Sequence, residues 1–306
     1  MVSNLAKDNS QNLIVSWRKR YSSEISDFKE TVYLIKKSPL TMVGLAVILI
    51  LIIMAIFAPY IASYDPVIMN LDNRLAPPSQ VHLLGTDELG RDILSRIIYG
   101  AGVALKIVLI VLAIDLPLGI LLGLAAGYFG GWVDEIIMRI ADIFMAFPRL
   151  ILAMAIGTAL GPSLRNTMIA IALTMWPVYA RLARGETLSI KERTFIEAER
   201  ALGTSNFRIL VFNILPICIS TLIVRATLDM GNIIRIAAGM SFLGLGAQPP
   251  TPDWGLMVST GRNFLVNQWW VPTFPGFAIL LAVFGFNLLG DGIRDISDPH
   301  LRRGRQ

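Results

Sequence analysis

The sequence predicts an all-α protein, a multi-pass membrane bundle of six helices. Two observations carry this. Of 306 residues, 54% are hydrophobic and 16% charged, against about a quarter charged in soluble domains. Apolar runs also recur at about 20 residues, the length that crosses a bilayer. Lipid offers the backbone no hydrogen-bond partners, and the strict alternation of a membrane barrel is absent, so the runs are helices.

The elements follow in order. Residues 1–39 form a polar tail without the apolar core and cleavage site of a secretory signal, so the first span, 40–61, is expected to be an uncleaved anchor. The tail is read as lying on the membrane surface or partly disordered. The other spans are expected at 102–126, 136–160, 168–182, 217–240 and 274–289. Together they make a membrane domain over 40–292, with a polar loop at 186–216 and a tail at 293–306. Seven basic residues precede position 40, six lie between Arg181 and Arg208, and four follow the last span. The opposite side holds five, namely Arg74, Arg91, Arg96, Arg165 and Arg262. By the positive-inside bias, both termini and the polar loop face the cytoplasm of a cell-membrane protein. The formal charge of +5 is dispersed over these segments, so it reports topology and argues against nucleic-acid binding.

Between the first two spans, Thr86 or Asp87 is expected to cap the helix leading into 102–126. Asp87, Arg91 and Asp92 read as local caps and ion pairs. Gly119, Gly123 and Gly127, spaced by four, give that helix a small face for close packing. Pro117 is expected to kink it at or before Asp115. Arg139, Asp142 and Arg149 are expected to set the boundary of 136–160. Asp253 reads as the N-cap of a helix to about Val266. Trp254, Trp269 and Trp270 suit the headgroup zone. The single Cys218 excludes an internal disulfide and reads as a small packed residue.

Chemistry of its own is hard to find in the chain. It holds no Gly-x-x-x-x-Gly-Lys-Ser/Thr phosphate loop, no Gly-x-Ser-x-Gly and no His-Glu-x-x-His. His82 and His300 are its only histidines. Charges inside spans are the exception, since each costs about 2.5–3.5 kcal/mol to insert. Asp115, Arg225, Asp229 and Arg235 are such residues. They either touch a translocation path or pair structurally, Arg225 and Asp229 being four apart on one helix face.

The polar loop carries the sharpest pattern. Thr194-Phe195-Ile196-Glu197 has the form of a capping box, which starts a helix at Thr194. Gly203 is placed to end it in a left-handed turn. Phe195, Ala198, Ala201 and Leu202 then share one face. Ser205 is expected to cap a second helix running to Pro216 and the fifth span, which completes a stiff elbow. Such a face either packs on the chain's own helices or receives a soluble partner.

Glu197-Ala198, Gly203 and Ile214-Leu215-Pro216 resemble the EAA loop of ABC-importer permeases. LGTDELGRDILSRIIYGA (84–101), GYFGGWVDEIIMRIADIFMAFPRL (127–150), WPVYARLARGE (176–186), SFLGLGAQPPTPDWG (241–255) and GDGIRDISDP (290–299) are similar to the dipeptide/oligopeptide C-type branch of that family. The resemblance covers roughly residues 35–300. It implies a type I ABC-importer permease fold and a non-catalytic subunit, with ATP and magnesium on partner chains and no cofactor here. Implied partners are a second homologous permease, two ABC ATPase subunits and an extracytoplasmic substrate-binding protein, all at the lipid membrane. The ATPase-coupling residues would be Thr194, Phe195, Glu197, Ala198, Ala201, Leu202 and Gly203. The implied cargo is a di- or oligopeptide; members of the branch also carry oligosaccharides, nickel and other small solutes. Glu199 departs from the family's usual small residue, so it faces solvent or an ATPase arginine. Two rivals remain at this level: a secondary transporter ion-coupled through Asp115 and Asp229, and a membrane scaffold.

Overall fold

The computed structural model describes residues 38–297. The tail expected at 1–39 and the end of the one expected at 293–306 lie almost wholly outside them. Among the described residues the regular structure is helical, with one isolated β-bridge, Thr86 to Asp92.

Helix α1 (Pro39–Ile61) opens on Ser38, whose Oγ accepts from the Thr41 hydroxyl at 2.7 Å. Pro39 sits where a missing N–H is harmless. Helix α2 (Ile93–Phe129) begins nine residues before the expected span and is continuous through Pro117. Its cap is neither Thr86 nor Asp87. Asp92 Oδ2 accepts from Ser95 N at 2.8 Å and Ser95 Oγ at 2.7 Å. Asp87 instead pairs with Arg91, Nε to Oδ2 2.7 Å, and lies 3.6 Å from Arg96 Nε.

The expected continuous span 136–160 is broken. Helices α3 (Gly131–Ala146) and α4 (Arg149–Leu160) meet at 96°. Pro148 has no N–H to continue the ladder, and its ring drives Phe147 to φ −94°, ψ 142°. Helix α5 (Leu164–Lys191) is capped by Ser163, Asn166 N to Oγ 3.1 Å. It far outruns the expected 168–182. After α6 (Thr194–Ala201), helix α7 (Asn206–Phe242) runs for 37 residues, its first part wound as a π-helix at Ile209–Ile214. Pro216 explains the wider winding. It cannot donate to residue 212, so the ladder shifts by one, as in Leu215 N–H to Leu210 O. Gly244, at φ +83°, ends α7. Helix α8 (Trp254–Gly261) is capped by Asp253 as expected, Leu256 N to Oδ1 2.8 Å, and stops short of Val266. Helix α9 (Trp270–Ser297) closes the described chain.

Four helices, α1, α2, α7 and α9, are long and apolar enough to cross a membrane, and α3–α4 add a broken crossing. Helix α5 is too polar to count by composition, and the packing makes it the sixth. Gly119 of α2 sits against Tyr179, Gly123 against Ala180 and Ala183, and Gly127 against Arg184 and Thr187. Both sets of numbers rise together, so α2 and α5 run parallel. The chain must return between them, and α3–α4 is that return. The glycines let the backbones touch, which is what drives helix association where lipid is as apolar as leucine. Helix α9 packs antiparallel on α1, Gly292 on Thr41 and Gly285 on Val47, and antiparallel on α7, Gly290 on Leu228. The bundle therefore has an elbow end, carrying α6, and a loop end, carrying residues 62–92 and α8.

The loop end is a polar knot. Arg96, 2% exposed, donates from Nη1 to Pro66 O at 2.7 Å, and His82 Nδ1 lies 3.0 Å from Asp92 Oδ1. Trp254 and Trp270 do not sit among headgroups. Both are buried, and Trp254 Nε1 donates to Ile97 O at 3.1 Å. Of these three, Trp269 alone is exposed.

Candidate functional site

The elbow is built from four chain segments. Helix α6 starts at Thr194, but its N-cap is Arg193, at φ −77°, ψ 144°. The Arg193 carbonyl accepts from Ile196 N (2.9 Å) and Glu197 N (3.3 Å), and no side chain caps the helix. The capping box is thus present in sequence and unused in structure: Thr194 stands one position too late. Ile196 is fully buried with Ile190, Ile209 and Ile214 and pins the helix to the bundle. The face marked by the sequence points the other way. Phe195 is 41% and Leu202 82% exposed, and Ala198, Ala201 and Glu197 are exposed beside them.

The C-terminus of α6 is closed on both strands of its turn. Gly203, at φ +76°, donates to Arg200 O at 3.0 Å, and Thr204 N donates to Glu199 O at 3.0 Å. This pair of bonds is a Schellman motif. Glu199 also accepts from Thr204 Oγ1 at 2.6 Å. It braces the turn from within, a role that sequence spacing did not expose. Ser205 begins the next helix through its backbone, and its side chain makes no cap bond. Because that helix is α7 itself, the elbow continues directly into a span.

The end of α2 ties the elbow down. Tyr128 OH donates to Asn206 Oδ1 at 2.8 Å, and the Arg200 guanidinium lies 5.1 Å from the Tyr128 ring centre. Lys191 Nζ donates to Gly127 O at 2.8 Å. Nearby, Arg184 Nη2 donates to Asp134 Oδ2 at 2.6 Å, and Arg181 pairs with Asp142.

A second polar feature runs along α7. Arg225 clasps Asp229 through Nε (2.9 Å) and Nη2 (3.1 Å), and Tyr179 OH of α5 donates to Asp229 Oδ2 at 3.0 Å. Arg225, Asp229, Asn232, Arg235 and Asn287 line a cavity of about 340 Å³. Asn232 and Arg235 also line a neighbouring one of about 470 Å³, together with Arg149 and Thr174. The structure thus brings Arg225, Asp229 and Arg235 onto one wall. Asp115 is fully buried, with neither carboxyl oxygen partnered, and lines neither cavity. Arg149 was expected at a membrane boundary with Arg139 and Asp142. Arg139 pairs with Glu135 instead and Asp142 with Arg181, while Arg149 stands at the break between α3 and α4. Among the described residues no three His, Cys, Asp or Glu side chains gather as a metal site.

A family described as the binding-protein-dependent transport system inner membrane component matches residues 119–303. One described as the N-terminal TM domain of oligopeptide transport permease C matches residues 26–78. The chain is 47% identical over 268 residues to a probable D,D-dipeptide transport system permease protein, DdpC, of Escherichia coli, covering 88% of this chain and 90% of that one. It is 46% identical over 278 residues to the dipeptide transport system permease protein DppC of Alkalihalophilus pseudofirmus, covering 91% of each. Against the glutathione transport system permease protein GsiD of Escherichia coli O6:K15:H31, identity is 45%, covering 87% and 88%. A solved structure of the MetNI methionine ABC transporter, inward facing, shares the fold at TM-score 0.51 and 19% identity, covering 67% of this chain and 98% of that one.

Proposed function

The chain belongs to the inner-membrane components of binding-protein-dependent transport systems, in their oligopeptide permease C branch, and from that premise we propose that it forms half the pore of an ATP-driven dipeptide importer and takes its energy through α6. The relatives named for dipeptide transport, at 46–47% identity, support the cargo. The other partners in this reading are a second permease of similar fold, two ATPase subunits that carry ATP and magnesium, and an extracytoplasmic binding protein.

The observation that carries the reading is the free face of α6. Phe195, Ala198, Ala201 and Leu202 stand exposed on a helix that is fixed from behind by Ile196 and closed by the Gly203 turn. A rigid apolar face with small residues at its centre suits close approach by a partner helix or groove. The seventeen-to-five split of basic residues supports a cytoplasmic elbow end and cytoplasmic termini. The loop end then faces the binding protein. In the cycle, ATP draws the ATPases together, the paired elbows follow, and the bundle opens outward. Hydrolysis reverses this. ATP can shift that equilibrium only by binding the two states unequally, and α6 is where the difference is felt. Arg225, Asp229 and Arg235 belong to the translocation path, with Asp115 behind them in the core.

Leu202→Asp tests the reading. At 82% exposure the change leaves the fold alone, yet it buries an unpaired carboxylate in the docked state. Such a charge costs several kcal/mol. Expected is loss of ATPase co-purification and at least about a tenfold fall in dipeptide uptake, with membrane insertion unchanged. Normal co-purification and normal uptake would refute it.

A further inference from the structure

The break between α3 and α4 lies midway along the bundle, where Arg149 and Thr174 share a cavity wall and Thr174 is midway along α5, and its own residues Phe147 and Pro148 are exposed. That cavity, about 470 Å³, combines Phe144, Phe147, Arg149, Thr174, Asn232 and Arg235. Its size falls in the range of small-molecule sites, about 300–1,000 Å³.

Its charge is unbalanced. Arg139, Arg181, Arg184 and Arg225 each have a carboxylate within 4.0 Å. Among the described residues Arg149 and Arg235 have none, and the one polar partner of Arg235 is Asn232 Oδ1 at 2.6 Å. Arg149 is half-buried and Arg235 exposed on this open wall, and at mid-membrane two guanidiniums without a carboxylate are costly unless they face water or a polar guest. The first turn of α4 starts at Arg149 and adds its unsatisfied N–H groups and partial positive charge at the same point. A discontinuous span that turns a helix N-terminus toward an anionic group is a recurrent transporter device. Phe144 and Phe147 supply an apolar wall beside the charge. Asp229, on the polar strip, is already held by Arg225 and Tyr179; buried Asp115 lies within electrostatic reach of Arg149 but makes no hydrogen bond or ion pair with it.

We propose that Arg149 and Arg235 form a carboxylate station in the translocation path, which holds the C-terminal carboxylate of a passing peptide while Phe144 and Phe147 pack its side chain. This rests on the dipeptide-importer reading for the identity of the guest. The electropositive station itself does not depend on it.

The experiment has two arms, both on the assembled transporter. In the first, Cys218 is replaced by Ala and Val178, which lines the cavity, by Cys. Modification rates are compared for an anionic and a cationic methanethiosulfonate of similar size. The anionic reagent should react about tenfold faster than the cationic one, and Arg149→Gln with Arg235→Gln should bring the ratio near one. A ratio near one with both arginines present overturns the station. In the second arm, uptake of Ala-Ala is measured for Arg235→Lys, Arg235→Gln and Arg235→Glu at equal membrane abundance. The station predicts retention in the Lys variant, about a tenfold loss in the Gln variant and near-complete loss in the Glu variant. Equal uptake by all three overturns it. If the unaltered transporter takes up no dipeptide while the thiol probe still prefers the anion, the peptide reading fails and the anion station stands.

Discussion

Replacing Gly203 tests the elbow most directly, because its energetic cost can be worked from the backbone alone. Gly203 sits at φ +76°, and a Cβ added there meets nothing within 4 Å. Steric collision is therefore not the issue; handedness is. An L-residue held in the left-handed region costs about 1–2 kcal/mol, and a β-branched one lies at the upper end. The alternative is to leave that region, which gives up the bonds from Gly203 N to Arg200 O and from Thr204 N to Glu199 O. At about 1 kcal/mol each these sum to about the same cost. Either route lowers the weight of the docking-competent elbow by up to about 30-fold for Gly203→Val. Apparent affinity falls in proportion to the competent fraction. The assay is a titration of the ATPase subunit onto the permease pair in nanodiscs, followed by fluorescence anisotropy, with uptake measured in parallel. Gly203→Asn is the control, since asparagine tolerates the left-handed region far better. Unchanged affinity and uptake in Gly203→Val would refute the reasoning, as would an Asn variant equally damaged.

Other outcomes are fixed by single contacts. Asp92→Ala removes the α2 cap and strands Ser95 N, Ser95 Oγ and His82 Nδ1; about 3 kcal/mol of stability should go, read as a lowered Tm of the purified chain, while Asp92→Asn loses less. Gly123→Leu drives its first added carbon to 2.7 Å from Ala183 Cβ, so α2 and α5 must part and a monodisperse gel-filtration peak should be lost. Tyr128→Phe deletes the bond to Asn206 but keeps the ring under Arg200; uptake per ATP hydrolysed should fall several-fold, and further in Tyr128→Leu, which loses both contacts.

How much of this was legible in the sequence depended on whether a residue's environment was set by lipid or by its neighbours. Helices α1, α2, α7 and α9 face lipid, so their apolar runs announced them. Helix α5 pairs its charges with α3, half-buried Arg184 on Asp134 and exposed Arg181 on Asp142, and so can cross while reading as polar. The α3–α4 break was signalled by Pro148, but the mostly apolar residues on both sides of it outweighed one proline. The Thr194 capping box failed because a cap needs the residue before the helix in an extended conformation, and Arg193 took that position. Trp254 looked like a headgroup anchor because amphipathic rings favour that zone. A carbonyl 157 residues away in sequence, Ile97 O, claimed its N–H instead. The exposed face of α6 was readable, since Phe195, Ala198, Ala201 and Leu202 follow helical spacing. Ile196, which holds that face outward, was not, because its partners Ile209 and Ile214 lie beyond the turn. Arg149 had no local signal either; only the bend of α3 on α4 brings it to Arg235.

The elbow's ties decide how force can leave it. Helix α6 has eight residues, too few to hold a helical shape alone in water, so its stiffness is borrowed. It borrows from three directions at once. Ile196 roots it among Ile190 of α5 and Ile209 and Ile214 of α7; Arg200 lies over Tyr128 of α2; and Tyr128 in turn holds Asn206, the first residue of α7. Lys191, at the end of α5, is bonded to Gly127 of α2. A displacement of α6 therefore cannot be absorbed by the turn at Gly203 alone. It must move the ends of α2, α5 and α7 together or break contacts that lie at the bundle's rim. Helices α2 and α5 are further locked by the three glycine contacts, so they shift as one body. Helix α7 carries Arg225, Asp229 and Arg235, and is joined to that body at this depth through Tyr179 and Asp229. The path-lining strip is thus on the one long helix that both begins in the elbow and is hinged, by its π-wound segment, just inside it. A π-segment holds a looser ladder than an α-turn, so rotation of α7 against the α2–α5 pair is the motion this packing permits most easily, and it is the motion that would turn Arg235 toward or away from Arg149.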